Sequence, residues 1–163
     1  MIKFNFAETK EHLAIVRELF LEYATSLGFS LCFQDFDKEL AGLPGEYAPL
    51  DGCLILAMEE TNAVGCVALR KIDNGICEMK RLYVKSSSRG EGVGRKLVKA
   101  IIEEAEKIGY AKIRLDTVPA MREAISLYHS MGFYEIKPYR ENPIDGALYM
   151  ELDLKTSINF TSL

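Results

Sequence analysis

The feature that most constrains this chain is the run Glu78-Met-Lys-Arg-Leu-Tyr-Val84, followed by Arg89-Gly-Glu-Gly-Val-Gly94 and an amphipathic stretch. A largely apolar strand enters a glycine-rich turn, and the turn opens a helix. The first backbone N–H groups of such a helix have no partner within it, and the positive end of the helix dipole lies behind them. Glycine lets the main chain take positive φ and approach an anion with no Cβ in between. The segment is therefore suited to a phosphate group, and a phosphorylated cofactor is the expected ligand.

The flanking sequence supplies a frame for that turn. Ile2–Phe6 alternates as a short strand. Leu13, Val16, Phe20, Tyr23 and Leu27 then fall on one helical face, which Gly28 is placed to end. Asp35–Leu40 reads as a short helix and Leu43–Pro49 as a loop. Cys53–Glu59, Ala63–Lys71 and Ile76–Val84 are three strand-like runs, and Asn74-Gly75 between the last two is a hairpin signal. An antiparallel meander follows from that pattern. Leu97, Ile101, Ala105 and Ile108 share a helical face that Gly109 terminates. Lys112–Asp116 is a strand, and Pro119 suits the first turn of a helix that Gly132 ends. Phe133–Lys137 and Ala147–Leu154 complete the set, giving a mixed α/β domain.

Bulk properties exclude several classes. The 163 residues, 48% apolar and 27% charged, fit one soluble domain over 1–154 with a polar tail at 155–163. A net charge of −4 without a basic tract argues against general nucleic-acid binding. No run approaches the ~20 apolar residues of a membrane span, and the N-terminus lacks a basic-then-apolar leader, so a cytoplasmic protein with no membrane partner is expected. Cys32, Cys53, Cys66 and Cys77 have no CxxC spacing, and buried thiols are the simplest reading. His12 and His129 are far apart without zinc-site spacing, so no metal is expected.

The order of elements and two motif blocks resemble the GNAT superfamily of acyl-coenzyme A-dependent N-acetyltransferases. The superfamily's Arg/Gln-x-x-Gly-x-Gly/Ala signature stands here as Arg89-Gly90-Glu91-Gly92-Val93-Gly94, with a strand before it and a helix after it. A second block, Leu-Tyr-x-x-x-Gly-Phe, stands downstream as Leu127-Tyr128 to Gly132-Phe133. A Walker A loop would need Gly-Lys-Ser/Thr, which is absent, and a Rossmann fingerprint would open a parallel βαβ unit rather than follow a meander. The resemblance implies an α/β GNAT fold: a twisted, mostly antiparallel sheet of about six to seven strands flanked by about four helices.

The resemblance also implies roles for particular residues. Acetyl-CoA would be the cosubstrate, its pyrophosphate cradled by Arg89, Gly90, Glu91, Gly92, Val93 and Gly94, with Arg95 and Lys96 as further basic partners. Glu91 is compatible with a phosphate only if its carboxylate turns to solvent. Leu82, Tyr83 and Val84 belong to the strand that splays from its neighbour in this superfamily, where a bulge often aims the N–H at Leu82 toward the thioester. Tyr128 matches the tyrosine that assists the departing thiolate, with a core tyrosine as the alternative. Glu78 is the candidate base that takes the amine's proton, and Asp116 is its rival. Arg81, Asp116, Tyr139, Arg140 and Asn142 are expected near the acceptor. No cysteine has the setting of an activated nucleophile, so direct attack by a primary amine in a ternary complex is expected. A small-molecule acceptor, a protein or peptide acceptor, and an acyl-CoA sensor without turnover all remain compatible with these residues. Many members of the superfamily form homodimers, and the resemblance extends to that.

Overall fold

In the computed structural model, which describes residues 1–28 and 35–155, strand β1 (Ile2–Phe6) leads into helix α1 (Lys10–Ser26). Thr9 starts this helix, its hydroxyl oxygen accepting from the His12 N–H at 3.1 Å, which satisfies one of the orphan donors of the first turn. Helix α2 (Phe36–Gly42) follows, then strands β2 (Cys53–Glu59), β3 (Asn62–Asp73) and β4 (Ile76–Val84). Gly75 takes φ +72° in the turn between β3 and β4, and the three strands form the expected antiparallel meander. Helix α3 (Val93–Ile108) ends at Gly109, whose φ of +107° is open to glycine at little cost. Strand β5 (Lys112–Thr117), helix α4 (Arg122–Ser130) and strands β6 (Tyr134–Ile136) and β7 (Leu148–Asp153) complete the described chain.

One seven-stranded sheet results, in the order β1-β2-β3-β4-β5-β7-β6. Only β4 and β5 run parallel, and their register covers just Ile76↔Lys112, Cys77↔Ile113 and Glu78↔Arg114. Beyond Glu78 the two strands part, opening a wedge in the middle of the sheet. Strand β4 also bulges there: Cys66 pairs with Tyr83 but Ala68 with Lys80, so Arg81 and Leu82 together face Val67. Arg81 carries the kink in left-handed backbone with φ +60°, a conformation that costs a non-glycine residue about 1 kcal/mol or more.

Each face of the sheet has its own core. Leu97, Val98 and Ile101 of α3 and Tyr128 of α4 pack with Ile55, Val67, Leu69 and Ile113 on one face. Val16, Leu19 and Phe20 of α1 and Phe36 of α2 pack with Leu54, Leu56, Cys66 and Ala68 on the other. Alternation along β2 and β3 sends successive side chains to opposite cores. Cys53, Cys66 and Cys77 are free and buried, as expected; Cys32 and the tail at 156–163 lie outside the described residues.

Pro119 does not enter the first turn of α4. It occupies the second position of a turn closed by the Met121 N–H on the Val118 carbonyl at 3.0 Å, and the helix starts at Arg122. Its fixed φ suits that turn position equally well.

Gly65 of β3 lies where an added Cβ would stand 2.7 Å from the Tyr83 carbonyl oxygen and 3.1 Å from Leu97 Cδ1. Gly65→Ala should therefore cost about 2 kcal/mol through overpacking, read as a lower urea midpoint. An unchanged midpoint would show that β4 and α3 can give way there.

Candidate active site

The glycine turn sits at the mouth of a groove between β4 and α4. Tyr83, Val84, Arg89, Gly90, Gly92 and Gly94 line one side, and Arg122, Glu123 and Leu127 the other. Gly90 and Gly92 take φ +85° and +79°, conformations that L side chains rarely adopt. Gly94 is different: a Cβ there would only touch Leu127 and Val84 at 3.7 and 3.8 Å, so the fold itself tolerates alanine. Its missing side chain instead leaves the groove floor open beside the first turn of α3. That geometry fits a diphosphate resting on backbone N–H groups.

The basic side chains near the turn divide. Arg89 lies by the groove, with Nε donating to the Val84 carbonyl at 2.9 Å and its guanidinium 5.9 Å from the centre of the Tyr83 ring. Arg95 also borders the groove and donates to Ser130 Oγ at 2.8 Å. Lys96 and Glu91 are exposed and do not line the groove, so the Glu91 carboxylate stands clear of it. The Val93 side chain is buried in the core, leaving its backbone for any ligand.

Where β4 and β5 part, the groove opens onto a cavity. Tyr23, Leu82 and Met121 border both spaces. Further in, the cavity is walled by Lys80 and Arg81 from β4, Asp116 from β5, Tyr128 from α4 and Asn142 from the loop before β7. Burial, with Tyr23 and Asp116 nearby, pushes the Tyr128 phenol well above its ordinary value of 10. Its ring packs 5.7 Å from Phe133, so Tyr128 is both a core residue and a wall of the cavity. Asn142 donates to Asp116 Oδ2 at 3.2 Å, and Arg140 stands 3.8 Å from Oδ1. Arg81 is buried, with Nε and Nη2 donating to the two carboxylate oxygens of Glu39 at 2.9 and 2.8 Å, and it stacks over Phe36. The α2 helix is thereby fastened to the bulge.

Glu78 is fully buried at the point of the wedge. Arg70 Nε donates to its Oε1 at 3.0 Å, and both the Tyr139 hydroxyl and Arg140 donate to Oε2. Burial would raise its pKa, but Lys80, Arg140 and Arg70 outweigh that and hold the carboxyl below the usual value of 4.5. The guanidinium groups of Arg114 and Arg140 both stand over the Tyr139 ring, 5.3 and 4.9 Å from its centre. Burial and the Glu78 charge push the Tyr139 phenol up, so it stays a donor. Tyr139 and Arg140 thus dock their loop on β4, while Asn142 reaches the cavity wall.

Arg70 and Glu39 carry much of this arrangement and were not among the expected site residues. A plain two-residue hairpin at Asn74-Gly75 would place Lys71, not Arg70, opposite Glu78. The register shift between Lys71 and Asp73 brings Arg70 there instead. No local sequence signal marks that shift.

Comparison with known proteins agrees with this geometry. The family described as "Acetyltransferase (GNAT) family" matches residues 13–133. An uncharacterised N-acetyltransferase of Schizosaccharomyces pombe is 40% identical over 94% of this chain and 95% of its own length. Another from Dictyostelium discoideum is 30% identical over 93% of this chain and 99% of its own. Among solved structures, a Staphylococcus aureus acetyltransferase of the GNAT family superposes with a TM-score of 0.81 at 22% identity, covering 95% of this chain and 100% of that one. A Salmonella typhimurium protein, solved with its cofactor acetyl-CoA, superposes at 0.74 with 21% identity over 94% of each chain. The chain belongs to the GNAT family of acetyltransferases, and the fold is that of the family. Among the described residues no group of side chains is arranged to hold a metal ion, and no helix is long and apolar enough to cross a membrane.

The Glu78 network makes stability pH-dependent. Its folded pKa is depressed, so the folded chain binds fewer protons than the unfolded one just below the ordinary carboxylate range, and stability falls as pH drops through that window. Glu151, held down by Arg114, Tyr134 and Lys112 against burial, which would raise it, acts in the same direction. Glu78→Gln should lose about 3 kcal/mol at neutral pH by leaving two guanidinium groups without their shared charge. Its urea stability should also change less than wild type between about pH 5 and pH 3. Equal slopes would place the acid sensitivity elsewhere.

Proposed function

We propose that this protein transfers an acetyl group from acetyl-CoA to the primary amine of a small molecule, by direct attack with both substrates bound. The supporting observation is the meeting of groove and cavity: the glycine turn lies at one end, Asp116 and Tyr128 at the other, and Leu82 of the bulge between them. Acetyl-CoA supplies an activated thioester, and the chain's task is to hold it, orient the amine and manage protons. The backbone of Gly90, Gly92, Val93 and Gly94 receives the diphosphate, with Arg89 and Arg95 beside it. The exposed edge of Leu82–Val84 receives the pantetheine arm as an added strand. The Leu82 N–H, displaced from simple register by the bulge, donates to the thioester carbonyl.

For the proton, Asp116 is better placed than Glu78. A general base works best with a pKa near the operating pH and an accessible lone pair. Glu78 spends both oxygens on Arg70, Arg140 and Tyr139 and is held acidic, which suits a positioning role. Asp116 lines the cavity where an amine would lie. Tyr128 keeps its proton throughout the neutral range. A thiol of pKa about 8.5 is the stronger acid, so Tyr128 steadies the thiolate with a hydrogen bond rather than by complete proton transfer. The cavity is walled on several sides by α1, both wedge strands and the loop of Asn142, which supports a small acceptor over a protein surface.

Tyr128→Phe should lower kcat about 10- to 100-fold while leaving acetyl-CoA affinity nearly unchanged. Normal turnover in that variant would remove its assigned role. Gly94→Ala should raise the acetyl-CoA KM about 10-fold without lowering thermal stability, because alanine favours a helix by about 0.5–1 kcal/mol. An unchanged KM would move the diphosphate away from this turn. Thiol release across a panel of amines tests the activity itself, and its complete absence would favour an acyl-CoA sensor.

A further inference from the structure

We infer that Tyr23 supplies a second donor to the thioester carbonyl, its hydroxyl acting with the Leu82 N–H on the oxygen that turns anionic during transfer. This deepens the acetyltransferase reading and rests on it. A thioester must lie where the groove, which takes the CoA arm, meets the cavity, which takes the amine. Among the described residues that border both spaces, Tyr23 comes from α1, Leu82 from β4 and Met121 from the N-cap of α4. Of these three, Tyr23 brings a polar side chain, and the reaction outlined above assigns it no task.

The direction of the side chain follows from its neighbours. Ser26 and Leu27, at the end of α1, border the groove and the cavity respectively, so that end of the helix spans the junction. On the groove side the Tyr23 ring meets the Tyr83 ring edge to face, with 6.1 Å between centres and 71° between planes. At its other end the phenol feels the charges of Arg81 and Asp116, and it acts in turn on the Tyr128 phenol. All three of these neighbours line the cavity. The ring therefore rests by the groove wall and the hydroxyl points to the cavity. Burial pushes the Tyr23 phenol up from 10, against the charge and hydrogen bond of Arg81, which pull it down. It is a donor at neutral pH, and the guanidinium on its oxygen polarises the O–H further.

Such a donor is matched to one atom of the reacting groups. The attacking amine must keep its lone pair for carbon, and the departing sulfur is met by Tyr128. As the N–C bond forms, the carbonyl π pair moves onto oxygen. As that pair returns, the C–S bond breaks and the thiolate leaves with its electrons. The amine's proton goes to Asp116, and Tyr23 keeps its own throughout. Until the C–S bond breaks, negative charge grows on the carbonyl oxygen, where a phenol backed by a guanidinium strengthens its hold as the charge develops.

The test follows the carbonyl stretch of bound acetyl-CoA, labelled with carbon-13 at that carbonyl, by difference infrared spectroscopy. A hydrogen bond to the oxygen lowers this frequency, which a purely structural role for Tyr23 would not do. Tyr23→Phe keeps the ring and its contact with Tyr83. In this variant the band should move to higher frequency, while acetyl-CoA affinity changes less than about 3-fold. With the amine that releases most thiol, kcat should fall about 10- to 100-fold. Should the variant fail to fold, Tyr23→fluorotyrosine replaces it: the more acidic hydroxyl on the same ring should move the band to lower frequency. A band that stays at the wild-type position overturns this inference alone; if the acidic limb of the pH–rate profile moves as well, the phenol serves Asp116 instead. The band needs no acceptor, so it tests the contact even where no amine releases thiol, the result that overturns transfer itself. Acetyl-CoA that fails to bind overturns both.

Discussion

A carboxylate buried at the fork of the sheet organises this structure. Glu78 is the last residue of β4 in register with β5, and beyond it the strands diverge. Its side chain has no contact with solvent, so its charge must be met by protein groups. Arg70 from β3 and Arg140 and Tyr139 from the loop before β7 meet it. One buried charge therefore fastens three separate pieces of chain at the place where the sheet opens. The cost of leaving any of these partners alone in the interior makes the arrangement close to all-or-none.

The opening itself has two causes acting together. Loss of pairing between β4 and β5 separates the strands laterally, and the bulge at Arg81 turns the backbone of Leu82 toward the gap. The left-handed conformation at Arg81 is unfavourable taken alone. It is held by the double hydrogen bond to Glu39 and by stacking over Phe36, both supplied by α2. Helix α2, far from the glycine turn in sequence, thus sets the shape of the strand that leads into it. The groove and the cavity meet at this bulge, so the space beside the glycine turn runs on to the side chains at the wedge.

Much of this was legible in the residues. The hairpin at Asn74-Gly75, the helix ends at Gly28, Gly109 and Gly132, and the turn Arg89–Gly94 are local signals, because each depends on backbone freedom or on missing helix partners within a few residues. Strands β2 and β4 match their expected limits for the same reason. Pro119 was ambiguous because its fixed φ serves a turn and a helix start alike. The pairing of Arg70 with Glu78 was hidden, since one extra residue near Ile72 shifts the register. The role of Glu78 was hidden for a related reason: a strand glutamate looks the same whether it faces water, a substrate or two arginines.

The sequence by itself determined the kind of protein this is: the glycine-rich turn, its strand and helix, and the second block around Tyr128 place the chain in an acetyltransferase family. Those properties live in short stretches of backbone, where residue type dictates conformation directly. Tertiary structure alone decided which charges are partners, which carboxylate faces the cavity, and that a lysine shares that cavity with an aspartate. Charge pairing and desolvation depend on distance in space, and residues 61 or 62 positions apart along the chain meet here only through the register and splay of the sheet.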